Sequence, residues 1–287
     1  MTFEELIIQR FDADVPAMPI PPQVAEMRMS DHPFARAMAD VIEDVIANRL
    51  DADEQPHVAA IEQRRAELEA SEDDVSYRDF GAATRDGDQT PEEMYEGVDR
   101  SRSIGHLCRR TSKPYRSAIL LHKLLRKTKS ASCVELGTCL GISASYQAAA
   151  LELNGSGRLI TMEGAAPVAA LAQQTVDKLG HGRVTIEVGR FQDTLDGVLA
   201  ANKPFDYAFI DGHHDGPATV DYYNRILPVL TDGAVVIYDD IRWSNGMLDA
   251  WNALKVHENV EISIDLVDIG ICWTANTLKP AQHFSLV

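Results

Sequence analysis

The chain has 287 residues, 45% hydrophobic and 25% charged, ordinary values that exclude wholesale disorder, collagen-like repeats and coiled coils. Such a length suits one α/β domain of about 150 to 200 residues plus a smaller appendage. With 27 basic against 44 acidic side chains, the net charge of −17 repels phosphate backbones and excludes nucleic acid as the main partner. No stretch approaches the roughly 18 consecutive apolar residues of a membrane span, so no membrane partner is expected. Glu4 and Glu5 stand where a secretory leader carries positive charge, and Cys108, Cys133, Cys139 and Cys272 form no CxxC pair. The expectation is a cytoplasmic protein with reduced core thiols.

In chain order, Pro16, Pro19, Pro21 and Pro22 predict an extended opening segment. Phe34, Met38, Val41, Ile42, Val45, Ile46 and Leu50 then recur at helical spacing, with Asp40, Glu43 and Asp44 on the other face, which predicts an amphipathic helix. A second helix is predicted over 57–72 and a polar linker over 86–91. Residues 1–98 are thus expected to form a helical N-terminal extension, serving as a cap or for homodimerisation, and residues 99–287 the main domain. Charge is uneven: residues 1–80 hold 19 acidic and 7 basic side chains, whereas residues 100–129 hold ten basic and no acidic ones. Two readings are open: the basic stretch packs near the acidic region or is solvated, or an anionic ligand sits near Arg109, Arg110 and Lys113.

Beyond the linker, helices and strands alternate. Helices are predicted over 115–127, 143–153, 167–179, 194–201, 218–227 and 247–254, and strands over 132–136, 158–162, 184–188, 205–210, 234–238, 261–267 and 269–274. Strands separated by helices pair in parallel, which gives an α/β, Rossmann-like, doubly wound sheet of seven strands. The last two, joined at Asp268, form an antiparallel hairpin, so the sheet has an antiparallel last strand beside the small helical N-terminal region.

In such sheets ligands bind beyond the carboxyl ends of the strands. Those junctions read Glu135-Leu-Gly137-Thr-Cys-Leu-Gly141, Glu163-Gly164, Gly189-Arg-Phe-Gln192-Asp193, Asp211-Gly-His-His214 and Asp239-Asp240. Four of the five carry acidic residues at a strand end, where a core would not tolerate unpaired carboxylates. Gly137 and Gly141 are spaced for a tight turn, without the G-x-G-x-x-G of a pyrophosphate cradle. Glu163, 26 positions beyond Gly137, is placed to accept both hydroxyls of a ribose. A nucleoside without a pyrophosphate satisfies both features.

The stretches VELGTCLGIS, TMEG, GRFQD, FIDGHH and VVIYDDIRWSNG resemble class I S-adenosylmethionine-dependent methyltransferases over about residues 112–276, particularly the catechol and caffeoyl-CoA O-methyltransferase group. DFGAATR, DDIRWSNGM and the closing QHF look like a bacterial branch with a helical N-terminal extension. The resemblance implies S-adenosylmethionine as cofactor, surrounded by Glu135, Gly137, Thr138, Gly141, Ser143, Glu163, Gly164, Gln192 and Asp211. Glu135, Gly137 and Ser143 would line its methionine end, Glu163 hold the ribose and Gln192 flank the adenine. It also implies magnesium or another divalent cation on Asp211, Asp239 and Asp240, with aspartate at 240 where the group has asparagine. A hard cation binding two oxygens of an acceptor would promote loss of a hydroxyl proton near neutral pH. Without one, converging carboxylates repel and raise one another's pKa.

His214 takes the position of the group's catalytic lysine, three residues after Asp211, and an imidazole there suits removal of a hydroxyl proton. Asp211 joins it as a catalytic residue. His213 is a ligand, a substrate contact or a neighbour, and Trp243 and Ser244 wall the acceptor pocket or serve packing. The expected function is O-methylation of a small hydroxylated acceptor, assisted by a divalent metal. The alternatives are metal-independent methylation of a nitrogen or carboxylate, a metal-dependent oxygenase or hydrolase, and a binding module that transfers nothing.

Overall fold

Each predicted strand of the alternating half forms, because runs of β-branched and aromatic residues are set between helices long enough to cross over. In the computed structural model, residues 19–82, 89–275 and 281–286 are described. The alternating half comprises β3 (Ser132–Leu136), α7 (Ile142–Leu153), β4 (Arg158–Glu163), α8 (Ala166–Leu179), β5 (Val184–Val188), α9 (Phe191–Asn202), β6 (Phe205–Ile210), α10 (Gly216–Ile226), β7 (Leu230–Tyr238), α11 (Asn245–Leu254), β8 (Val260–Leu266), β9 (Ile269–Thr274) and β10 (Gln282–Ser285). Before it come α1 (Pro22–Met29), α2 (Pro33–Ile46), α3 (Glu54–Glu69), β1 (Asp74–Asp79), α4 (Pro91–Glu96), β2 (Val98–Ser103), α5 (Ile104–Thr111) and α6 (Tyr115–Thr128).

The large sheet has the order β10-β8-β9-β7-β6-β3-β4-β5. Strands β3 to β7 pair in parallel, and β9 runs antiparallel to both β7 and β8. An eighth strand, β10, adds to β8 in parallel, where seven strands were expected. Four residues of alternating exposure carry too short a pattern to predict it.

Alternate residues of each central strand serve opposite faces of the sheet. Cys133, Tyr207, Phe209, Val235 and Ile237 enter one apolar cluster, and Val134, Leu136, Ala208, Ile210, Val236 and Tyr238 the other. Both faces are therefore covered, as a parallel sheet requires. Helices α1, α2 and α3 add their apolar faces to the first cluster: Val24, Met27, Met38, Ile42 and Ile61 are fully buried in it. Helix α2 packs on α6 and α3 on α7, which makes the N-terminal helices an outer layer over one face of the sheet.

The opening segment departs from the expected extended form over Pro22–Met29. Proline at the start of α1 lacks only an N–H that the first helical turn leaves unbonded anyway, and Val24 and Met27 reward the helix by burial. Pro16 and residues 86–88 of the predicted 86–91 linker lie outside the described residues. A second departure is the antiparallel ribbon β1–β2, which pairs Asp74 with Ser103 and Asp79 with Val98. Its polar sequences, DVSYRD and VDRSRS, show no apolar alternation to read.

The basic stretch finds its partners on the acidic N-terminal helices. Lys127 pairs with Asp40 at 2.7 Å, Lys123 with Asp44 at 3.8 Å and Arg126 with Asp51 at 3.7 Å, while Lys123 also contacts buried Glu54. Charge asymmetry between the two segments is thus spent on joining α6 to the layer above it.

Candidate active site

Outward from β3 the chain winds to β4 and β5 on one side and to β6 and β7 on the other, which leaves a crevice at the carboxyl ends of β3 and β6. A cavity of about 400 Å³ opens there, lined by the loops after β3, β4, β6 and β7 and by the end of β1. The loops after β3 and β6 cross almost in contact. Gly137 has φ +110°, and a Cβ built on it would lie 1.9 Å from the carbonyl oxygen of Asp211, so only glycine fits. Around the same cavity four non-glycine residues hold the left-handed backbone: Cys139 (φ 46°), His213 (φ 73°), His214 (φ 51°) and Asp240 (φ 51°). Such clustering of costly conformations is a property of functional sites.

Gly137, Thr138, Ser143, Glu163, Gly164 and Gln192 line the cavity. The Oε2 of Glu163 accepts from the Cys139 N–H and its Oε1 from the Ala165 N–H, each at 2.9 Å. Burial pushes this carboxyl up to about 7, against the downward pull of those N–H groups. It is fixed by backbone donors, and no cation pairs with it among the described residues. Gly164 is packed on Phe80, whose ring lies 2.8 Å from where a Cβ would be.

Glu135 and Gly141 do not reach the cavity. Glu135 is wholly buried behind it, accepting from Gln147 Nε2 and from Thr161 Oγ1 at 2.6 Å each. Burial raises it to about 6, opposed by those bonds and one from Ser143. Ser143, one of its partners, lines the cavity. Gly141 precedes α7 in the left-handed conformation, close against Ala172.

At the other end, Asp211, His214 and Asp239 bring ligand atoms within 4.8 Å of one another. His214 Nε2 lies 4.0 Å from Asp211 Oδ1 and 3.6 Å from Asp240 Oδ2, and its ring sits 5.6 Å from that of Trp243. His213 turns aside to Tyr222, 2.7 Å between Nδ1 and the hydroxyl oxygen. Ser244 is no part of the pocket wall: its hydroxyl accepts the Met247 N–H and caps α11.

Of the three cations that the sequence singled out, Arg110 and Lys113 line the cavity and Arg109 does not. Arg109 donates to the Glu69 carbonyl, while the Lys113 side chain turns inward. Its ammonium contacts Asp239 Oδ2 directly and lies 3.4 Å from Asp211 Oδ1. Burial and the charge of Asp239 raise the Asp211 carboxyl well above the usual range. Burial raises Asp239 as well, but Lys113 outweighs it and holds that carboxyl below its ordinary value. The donor set of Asp211, His214 and Asp239 has the chemistry of a divalent site, yet the ion does not fit it as folded. Magnesium bonds oxygen at about 2.1 Å, and the ammonium already lies on the oxygens it would need.

Residues 134–241 match a family model described as a methyltransferase domain. The chain is 33% identical over 131 residues, 45% of its length, to a catechol O-methyltransferase of Niastella koreensis, 58% of which is covered. It is 27% identical over 140 residues to tricin synthase 2 of Oryza sativa subsp. japonica. The chain spans about half the length of the curated relatives it matches, 47% to 58%. Its fold is shared with a SAH-bound Podospora anserina methyltransferase (TM-score 0.54, 16% identity, 86% of this chain and 99% of that one). It is also shared with the O-methyltransferase TomG of Streptomyces achromogenes (TM-score 0.50, 23% identity, 58% and 82%). Over residues 134–241 the chain is thus similar to methyltransferase domains, and the curated relatives it matches include a catechol O-methyltransferase.

Proposed function

We propose that the protein transfers a methyl group from S-adenosylmethionine to a hydroxyl oxygen of a small acceptor. The observation that carries this reading is the cavity's two ends: a fixed carboxylate acceptor at Glu163, suited to ribose hydroxyls, and an imidazole flanked by carboxylates at His214, in one crevice. Gly137, Thr138, Ser143, Gly164 and Gln192 would surround the cofactor between them. Tyr77 and Phe80, from the predicted N-terminal extension, close one wall and support its role as a cap.

In the reaction, an acceptor hydroxyl lies against His214 and points at the sulfonium methyl. As its oxygen bonds to the methyl carbon, the carbon–sulfur bond breaks and its electron pair returns to sulfur. The hydroxyl proton passes to the His214 imidazole, so the sulfonium's positive charge ends on imidazolium and S-adenosylhomocysteine leaves neutral at sulfur. Asp240, 3.6 Å from the ring nitrogen, stabilises that imidazolium, and Trp243 gives a planar acceptor a face to lie on. Binding both reactants in line supplies the remaining acceleration.

A reducing, cytoplasmic location belongs to the same proposal, supported by four cysteines without a disulfide. Homodimerisation belongs to it too, to be decided by sedimentation. Among the described residues no helix is long and apolar enough to cross a membrane. The test is transfer of labelled methyl from S-adenosylmethionine to a panel of catechols, phenols and vicinal diols. Labelled ether product is expected, and cofactor binding without transfer to any hydroxyl would overturn the reading in favour of a binding module.

A further inference from the structure

Lys113 stands at the break between α5 and α6, with Ser112 closing one helix and Pro114 opening the next. A residue before proline is held in the extended region, and from this break Lys113 lines the cavity. The residue is only 9% exposed, so its charge must be compensated inside the protein. Compensation comes from the two carboxylates at the ends of β6 and β7, Asp239 in direct contact and Asp211 at 3.4 Å. Both acids are also nearly buried, with side chains 3% and 11% exposed. Two acids brought this close in a dry site share a proton or hold a cation between them, and here an ammonium lies against both.

We infer that the Lys113 ammonium is the resident cation of this centre, holding the place a divalent ion would take on Asp211 and Asp239, and that methyl transfer here runs without a metal. Three features of the site agree with that assignment. Lys113 lines the same cavity as His214, Asp240 and Trp243, at the end proposed for the acceptor. It supplies one positive charge to set against the negative charge that builds on that oxygen before the methyl arrives. Asp240, the third carboxylate, is turned to His214 at 3.6 Å and does not complete a ligand set with Asp211 and Asp239. The inference rests on the proposed reaction for its catalytic half only; exclusion of the ion follows from the side chains alone.

The test is titration of the whole protein with manganese(II), followed by the loss of the free-ion signal in electron paramagnetic resonance, with and without S-adenosylhomocysteine. Wild type is expected to leave the signal unchanged and to turn over equally in EDTA and in magnesium. Lys113→Met frees the two carboxylates and is expected to bind one manganese ion and to gain thermal stability from it. Lys113→Met/Asp239→Asn, with one acid removed, is expected to fold without the ion and to bind none, and it serves where the single variant is too unstable to purify. Stoichiometric manganese binding by wild type would overturn the inference. So would failure of folded Lys113→Met to bind, because Lys113 would then not be what excludes the ion. Neither result touches the methyltransferase reading, which fails separately if wild type does not bind S-adenosylhomocysteine.

Discussion

The two ends of the cavity bury acidic groups by opposite means. Glu163 is held by two backbone N–H groups, keeps a raised carboxyl and has no cation beside it among the described residues. Asp211 and Asp239 lie around a lysine ammonium, with Asp240 turned to an imidazole. The first arrangement leaves lone pairs for hydroxyl donors. The second concentrates full charges where a proton and a cationic methyl group have to move. One end is therefore built to recognise and the other to react, and substitutions should separate them.

The largest effect is expected from His214→Ala, which removes the proton acceptor. Turnover should fall by about 10²- to 10⁴-fold while affinity for S-adenosylhomocysteine holds, read from steady-state kinetics beside calorimetry. Loss of cofactor affinity in this variant would erase the division between the ends. Gly137→Ala should strike both ends at once. Its Cβ meets the Asp211 carbonyl at a backbone angle that alanine avoids, and urea unfolding should show a loss of about 3 kcal/mol.

Glu163→Gln should act on recognition alone. A hydrogen bond to a charged acceptor contributes about 1.5–3 kcal/mol, so cofactor affinity should drop by about 10- to 100-fold with the rate at saturation little changed. The pH dependence follows from the same carboxyl. With its folded value near 7, it is protonated in the free protein at pH 6, and ribose hydroxyls favour the ionised form. Affinity for S-adenosylhomocysteine should rise with pH through 7 and level off above, and Glu163→Gln should flatten the curve. The sign for stability is the reverse. Because the folded protein holds this proton more tightly than the unfolded chain does, the group's contribution to the apo fold is present below about pH 4.5 and is lost as pH rises through 7. Smallest of all should be Asp40→Asn, on the exposed face where Lys127 and Arg28 reach the carboxylate. Its cost in urea unfolding should stay below about 1 kcal/mol, although the acidic and basic segments it joins dominate the charge map.

The sequence displayed most of the alternating half, because each central strand carries side chains for two buried faces and helical segments separate the strands. Strands 132–136, 184–188, 205–210 and 269–274 coincide with those predicted from such runs. Strand-end acids were legible for the same reason, since Asp211 and Asp239 follow continuous apolar segments. What the residues do not display is how one distant segment meets another. Ribbon β1–β2 has no apolar period, so the wall made by Tyr77 and Phe80 was hidden, although Phe80 lies in the stretch DFGAATR that carried part of the resemblance. Glu135 has the spacing of a cavity residue but sits a turn behind, claimed by Gln147 and Thr161. Lys113 was visible as one of ten basic residues over 100–129 and as a candidate contact for an anion, not as the partner of Asp211 and Asp239. Its position before Pro114 at a helix break was the local clue that it points elsewhere than its neighbours.

Calorimetric titration of the wild-type protein with S-adenosylhomocysteine in EDTA tests the central claim most directly. The account predicts one cofactor product bound per chain, with affinity that falls in Glu163→Gln and holds in His214→Ala. Absence of binding by wild type, or binding that Glu163→Gln leaves intact, would contradict it.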